Sequence, residues 1–175
     1  MISYPHWALR PYGALHNARE SLAVISASVA DRLALTPSSV LDEGDEPGGL
    51  RAITVAQCYQ LLAEESVGRL AYIARAETPD IVPVNYVLDG GDVVIRSGPG
   101  PKLQAAERRA QVAFEVDCVD RATRTGWSVV VIGRAIRLRL TEQRQHADGP
   151  APWASGPRSA AIRIRPSRIT GRHLN

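Results

Sequence analysis

Residues 81–103, from Ile81 to Leu103, read IVPVNYVLDGGDVVIRSGPGPKL, and their pattern decides how the rest of the chain is read. Ile81 to Leu88 is β-branched and apolar, Asp89-Gly90-Gly91 supplies residues that tolerate positive φ, and Asp92 to Ile95 resumes the β pattern. A tight β-hairpin is the economical reading. Its second strand runs into Arg96-Ser97, then a Gly98-Pro99-Gly100-Pro101 loop, then Lys102 at the opening of a helical stretch. A guanidinium, a hydroxyl, backbone amides and an ammonium thus lie within seven residues, the outline of a phosphate cradle. Solvated surface charges would use the same residue types. The Gly-x4-Gly-Lys spacing is absent, and no Gly-x-Gly-x-x-Gly follows a strand, so the cradle belongs to neither of those nucleotide-binding motifs.

Pro83 inside a strand must sit where no ladder donor is needed, at an edge or a bulge. Asn85 shares its face, while Val84 and Tyr86 face the other way. An Asn amide in an apolar strand needs a partner, either structural or in a ligand cleft. After the loop, Pro101 to Arg109 is expected as a short helix whose start aims its amides at the same anion.

Upstream of the hairpin, Thr54 with Gln57 three residues on forms a capping box, and Val55, Cys58, Tyr59 and Leu62 keep helical periodicity as far as Glu65. That periodicity makes Cys58 a core residue rather than a nucleophile. Gly68 to Ala74 reads as the first strand and Arg75 to Asp80 as a turn. Downstream, Val112 to Cys118 alternates, with Val112, Phe114, Val116 and Cys118 on the core face and Ala113, Glu115 and Asp117 on the other. Such a carboxylate pair is read as a face that meets arginines, ahead of an acid–base dyad. Trp127 to Leu140 is a long strand in which Gly133 marks a bulge or bend. Ser159 to Arg165 is the last strand, with Ile162 and Ile164 inward and Arg163 and Arg165 outward.

The 175 residues divide into an extension, 1–50, and a domain, 51–175. Within the extension, Met1 to Gly13 reads as an aromatic arm, Leu15 to Leu35 as a helix and Asp42 to Gly49, DEGDEPGG, as an acidic linker. Net charge is +3 overall, with the acidic excess in the first 50 residues. The basic remainder suits a phosphorylated cofactor; nucleic acid is not expected as a partner, since no DNA- or RNA-binding motif is recognised. Two cysteines suit a reducing compartment, and the chain shows neither an apolar run that spans a bilayer nor a leader, so the expectation is a cytoplasmic protein.

Five ordered pieces resemble one family: Val67-Gly68-Arg69-Leu70-Ala71, Pro83-Val84-Asn85-Tyr86, Arg96-Ser97 with Gly100 and Lys102, Val112 to Asp117, and Gly126-Trp127-Ser128-Val129 with Gly133-Arg134-Ala135. Together they resemble the pyridoxamine 5'-phosphate oxidase-like FMN-binding split-barrel family. The resemblance implies a mainly β fold with flanking helices, a six-stranded split β-barrel that here carries an N-terminal helical extension. It further implies a homodimer with FMN in each of two clefts between subunits, and an oxidoreductase acting on a small-molecule substrate. On that basis the cofactor-binding candidates are Asn85, Arg96, Ser97 and Lys102, with Trp127 and Ser128 bordering the flavin held mainly by the other subunit. Relatives that use a deazaflavin or haem, and a cofactor-free binding or regulatory module, are the alternatives. The Pro166 to Arg172 tail also resembles the family but differs from the Arg-rich C-terminal segment that holds substrate in authentic pyridoxamine-phosphate oxidases, which argues against vitamin B6 oxidation.

Overall fold

The computed structural model describes residues 49–139 and 160–174. The aromatic arm, the Leu15–Leu35 helix, the acidic linker up to Gly48 and all of residues 140–159 lie outside the described residues.

The capping box forms and starts helix α1, Val55–Glu64. The Thr54 hydroxyl accepts the Gln57 amide at 3.3 Å, and Gln57 Oε1 accepts the Thr54 amide at 2.8 Å, so two amides that the helix itself leaves unbonded are both satisfied. One face of α1, Cys58, Tyr59 and Leu62, is buried as the periodicity required.

Among the described residues seven strands, β1 Leu50–Ile53, β2 Val67–Ile73, β3 Pro79–Asp89, β4 Asp92–Ser97, β5 Gln111–Asp120, β6 Thr125–Arg137 and β7 Ala160–Leu174, pair antiparallel throughout. Six of them close a barrel in the order β7-β4-β3-β2-β5-β6, with β6 returning to β7; β1 adds to the far end of β7. The split-barrel expectation therefore holds. The β3–β4 hairpin turns on Gly90 and Gly91 with φ of 56° and 87°, the two positive values that a two-residue turn of this hand needs.

Alternation along the strands fills the interior. Leu70, Val84, Tyr86, Val93, Ile95, Val112, Phe114, Val116, Val129, Val131, Ile162 and Ile164 form one cluster with Cys58, Tyr59 and Leu62 of α1 and Leu103, Ala105 and Ala106 of helix α2, Pro101–Glu107. Burial pushes the Cys58 thiol up to about 11, which suits a packing residue and not a nucleophile. The bulge expected at Gly133 falls on the partner strand: Gly133 stands opposite a register shift whose extra residue is on β7, and any side chain at Gly133 would strike the Arg165 carbonyl.

Several boundaries differ from the sequence reading. The four-residue β1 precedes the strand expected to be first. Helix α2 stops at Glu107, because Arg109 adopts φ 54°. Cys118 is half-buried at the rim, not in the core. The last strand continues through the tail to Leu174, since a one-residue shift near Pro166 lets pairing with β6 resume.

Candidate functional site

The hairpin that organises the sequence opens into a fork. β4 pairs with β3 only from Asp89↔Asp92 to Tyr86↔Ile95, whereas β3 stays paired with β2 from Asn85 back to Pro79. Beyond Tyr86 and Ile95 the two strands part, and the first residues on either side of the opening are Asn85 and Arg96. Pro83 lies on this one-sided stretch, where its missing N–H interrupts no second ladder.

Strand alternation then sorts the candidates by face. Val84 and Tyr86 on β3, and Val93 and Ile95 on β4, point into the core. Asn85 and Arg96 therefore share the outer face with Val87 and Val94, which belong to a separate small apolar cluster with Leu138 and Ala161. Both candidates are half-buried. The Asn85 side chain is tucked in far enough that its Nδ2 is shielded from solvent. Ser97, by contrast, points inward with Ile95, is fully buried, and donates its hydroxyl to the Gly98 carbonyl at 2.8 Å. Its oxygen keeps acceptor capacity, and donation to a phosphate would require the hydroxyl to turn away from Gly98.

Gly100, with φ 146°, starts α2 without a side-chain cap; Lys102 follows in the first turn, half-buried. The loop thus brings Arg96, Ser97 and Lys102 to one end of β4, beside Asn85. A guanidinium at the end of β4 and an ammonium in the first turn of α2, joined by a short loop, suit a phosphate monoester, and a strand with an open edge beside them suits a flat ring with hydrogen-bonding groups at its rim. The residues present fit a flavin nucleotide.

Trp127 and Ser128 are not brought to this place within one chain. Trp127 pairs with Cys118 and His173, whereas Ser97 lies beside Ala160 at the other end of β7. Adjacent on β6, the two also face opposite ways: Trp127 packs against the edge of the core, and Ser128 lies on the outer face. Continuing the register from Asn85↔Val67 through Arg69↔Glu115 to Asp117↔Ser128 puts Ser128 level with Asn85, three strands away, or about 14 Å at the usual strand spacing.

The outer face of β2 and β5 carries Arg69, which reaches Glu115 at 3.1 Å and also pairs with Asp117. These carboxylates meet an arginine, as expected of them. Burial, and secondarily the Asp117 charge, raises the Glu115 carboxyl despite Arg69. Farther along, Tyr72 donates to Asp80 at 2.6 Å, and burial followed by that bond pushes the phenol up to about 12. The Tyr86 hydroxyl donates to the Leu62 carbonyl at 2.5 Å, locking α1 against β3. Sequence reasoning does not single out Arg69; its signal is the half-buried carboxylate pair, which needs a cation, and the adjacent strand β2 supplies it with Arg69 directly opposite Glu115. Among the described residues no group of three His, Cys, Asp or Glu could hold a metal, and no helix is long and apolar enough to cross a membrane.

A closed six-stranded antiparallel barrel, forked between β3 and β4 with helices packed into its core, defines a split-barrel protein. Comparison with known proteins agrees. Residues 54–173 match the pyridoxamine 5'-phosphate oxidase family, and the chain belongs to that family. The uncharacterized protein Rv0080 of Mycobacterium tuberculosis is 34% identical over 121 residues, 66% of this chain and 79% of that protein. A FAD-binding protein from Mesorhizobium loti is 28% identical with a TM-score of 0.59, over 72% of this chain and 99% of that one. The FAD binding protein from Mycobacterium smegmatis is 28% identical with a TM-score of 0.55, again over 72% and 99%.

Proposed function

We propose that this chain binds FMN in the β3–β4 fork and acts as a flavin-dependent oxidoreductase on a small-molecule substrate. The observation that carries the reading is the fork itself: an open strand edge at Pro83–Asn85 directly beside Arg96, with Lys102 a short loop away. The family and its FAD-binding solved relatives support it.

In this reading Arg96 and Lys102 hold the phosphate by charge, and Ser97 adds an oxygen to the same end of β4. Asn85 and the neighbouring backbone of β3 orient the ring. A bound flavin supplies hydride and single-electron chemistry, so the chain's own task is to hold and orient the partners and to keep water out. No protein nucleophile is needed.

A second copy of the chain completes the site. Ile81, Ala71 and Ala113 are consecutive cross-strand partners on the outer face of β3, β2 and β5, a continuous apolar row in which Ile81 is 66% exposed. Ile73, on the same face, is 48% exposed. Covering this row with its symmetry mate is the economical way to bury it, and it allows Ser128 of the second copy, which lies on that outer face, to border the ring.

The test is an absorbance spectrum of purified protein before and after adding FMN and desalting, with FAD run in parallel. Retained flavin bands in the wild type, lost in the Arg96→Ala, Lys102→Ala double variant, are the expected result. Stoichiometric FMN retention in the double variant refutes the phosphate assignment, and tighter retention of FAD than of FMN corrects the cofactor. A retained flavin that is reduced by no donor and reoxidised by no acceptor refutes the oxidoreductase reading. A monomer at working concentration, measured by light scattering, refutes the shared site.

A further inference from the structure

The outer face of β6 and β7 carries arginines that flavin binding does not use. Arg134 on β6 stands directly opposite Arg165 on β7, and Arg168 stands opposite Ile132 one step along. All three are exposed. Directly opposed residues on antiparallel strands have Cα atoms about 5 Å apart, and like charges so placed are destabilising. Among the described residues, no carboxylate forms an ion pair with any of the three. Arg134 donates to the Arg109 carbonyl at 3.3 Å.

The β7 bulge is what puts Arg165 and Arg168 together. Three residues apart on a regular strand, they would face opposite sides of the sheet. Gly133 pairs with Pro166 and Ile132 with Arg168, leaving Ser167 as the extra residue, its hydroxyl donating to the Ile132 carbonyl at 3.1 Å. The shift keeps Ile164 and Ile169 both in the core and turns Arg165 and Arg168 to the same outer face. Bulges commonly re-aim side chains beside sites of function.

We infer that Arg134, Arg165 and Arg168 form an anion site for a compact oligophosphate group. The class follows from the arrangement: three guanidiniums gathered on two adjacent strands over a short distance suit a ligand that concentrates several anionic oxygens, each able to take a forked pair of N–H donors. The site is separate from the β3–β4 fork and does not depend on the flavin reading.

Thermal unfolding of the full chain with and without inorganic triphosphate tests it. The expected result is a saturable rise in Tm that shrinks as salt increases. Arg165→Gln and Arg168→Gln should each weaken the apparent affinity by about tenfold or more. Without ligand, Arg165→Gln should melt no lower than wild type, because one like-charge contact is relieved; a structural role would instead lower its Tm. Arg165→Lys, which keeps the charge and loses the fork, should also bind more weakly. The assignment is overturned if triphosphate gives no saturable rise, or if the rise survives in the Arg165→Gln, Arg168→Gln double variant. Loss of the rise in Arg96→Ala, Lys102→Ala, with the β6–β7 arginines intact, overturns it too. Tighter binding of a single-stranded oligothymidine than of triphosphate overturns the compact class.

Discussion

Replacing Gly68 by alanine should cost more stability than any other single-methyl addition on β2. A Cβ at this position would lie 2.4 Å from Phe114 Cζ, 2.6 Å from Phe114 Cε2 and 2.9 Å from the Glu115 carbonyl oxygen. Phe114 cannot swing aside cheaply: it is fully buried and packs edge-on against Tyr86 with ring centroids 4.9 Å apart. Tyr86 is in turn tied to Leu62 of α1. The carbonyl belongs to the β2–β5 ladder, where Arg69 pairs with Glu115, and moving it costs ladder hydrogen bonds. Overpacking costs about 1–3 kcal/mol, and a rigid ring plus a backbone oxygen put this site at the upper end, about 3 kcal/mol. For a chain of this length that is a Tm loss of roughly 6–12 °C. Urea unfolding followed by far-ultraviolet circular dichroism gives the free energy. Combining Gly68→Ala with Phe114→Leu removes two of the three contacts, so the double variant should be less unstable than the sum of the singles, by about 1 kcal/mol or more. Rescue remains partial, because the carbonyl is still in place. A Gly68→Ala protein within about 0.5 kcal/mol of wild type, the ordinary scatter of surface substitutions, refutes the reasoning.

Two further outcomes follow from charge and burial. Glu115 has its folded carboxyl raised by burial and then by Asp117, so the folded state holds that proton more tightly and wild-type stability should fall as pH rises above the ordinary value of 4.5. Glu115→Gln should remove that part of the fall; urea unfolding across pH 4 to 8, as a range of about four units spanning the shift, checks it, and a variant whose stability falls as steeply as wild type sinks the idea. Cys58, buried with its thiol pushed up to about 11, should resist a disulfide reagent in the native protein and react once the chain is denatured. Rapid native labelling at Cys58, located by peptide mapping, is the contrary result.

Much of the fold was legible because its signals are local. Thr54 and Gln57 announce α1, Gly90 and Gly91 announce the hairpin, and the strict alternation of β5 and β6 assigns their core faces residue by residue. What escaped depends on partners distant in sequence. β1 is four residues with only its end positions half-buried, and nothing but β7 makes it a strand. Pro166 looks like a terminator, yet the bulge absorbs it and β7 runs on. In the candidate site, the residue types around Arg96 were readable, but the opening between Asn85 and Arg96 is a matter of register. The inward turn of Ser97 and the opposite faces of Trp127 and Ser128 were available from alternation alone. Their distance from one another across the barrel was not.

β7 is hydrogen-bonded to β1, β4 and β6 at once, and it is the last of the seven to leave the ribosome. Until residues 160–174 have emerged, β4 and β6 each offer an unsatisfied ladder to solvent, and the interior they enclose stays open along one seam. Barrel closure therefore waits on a single strand, and the edges of β4 and β6 stay exposed and sticky until it arrives.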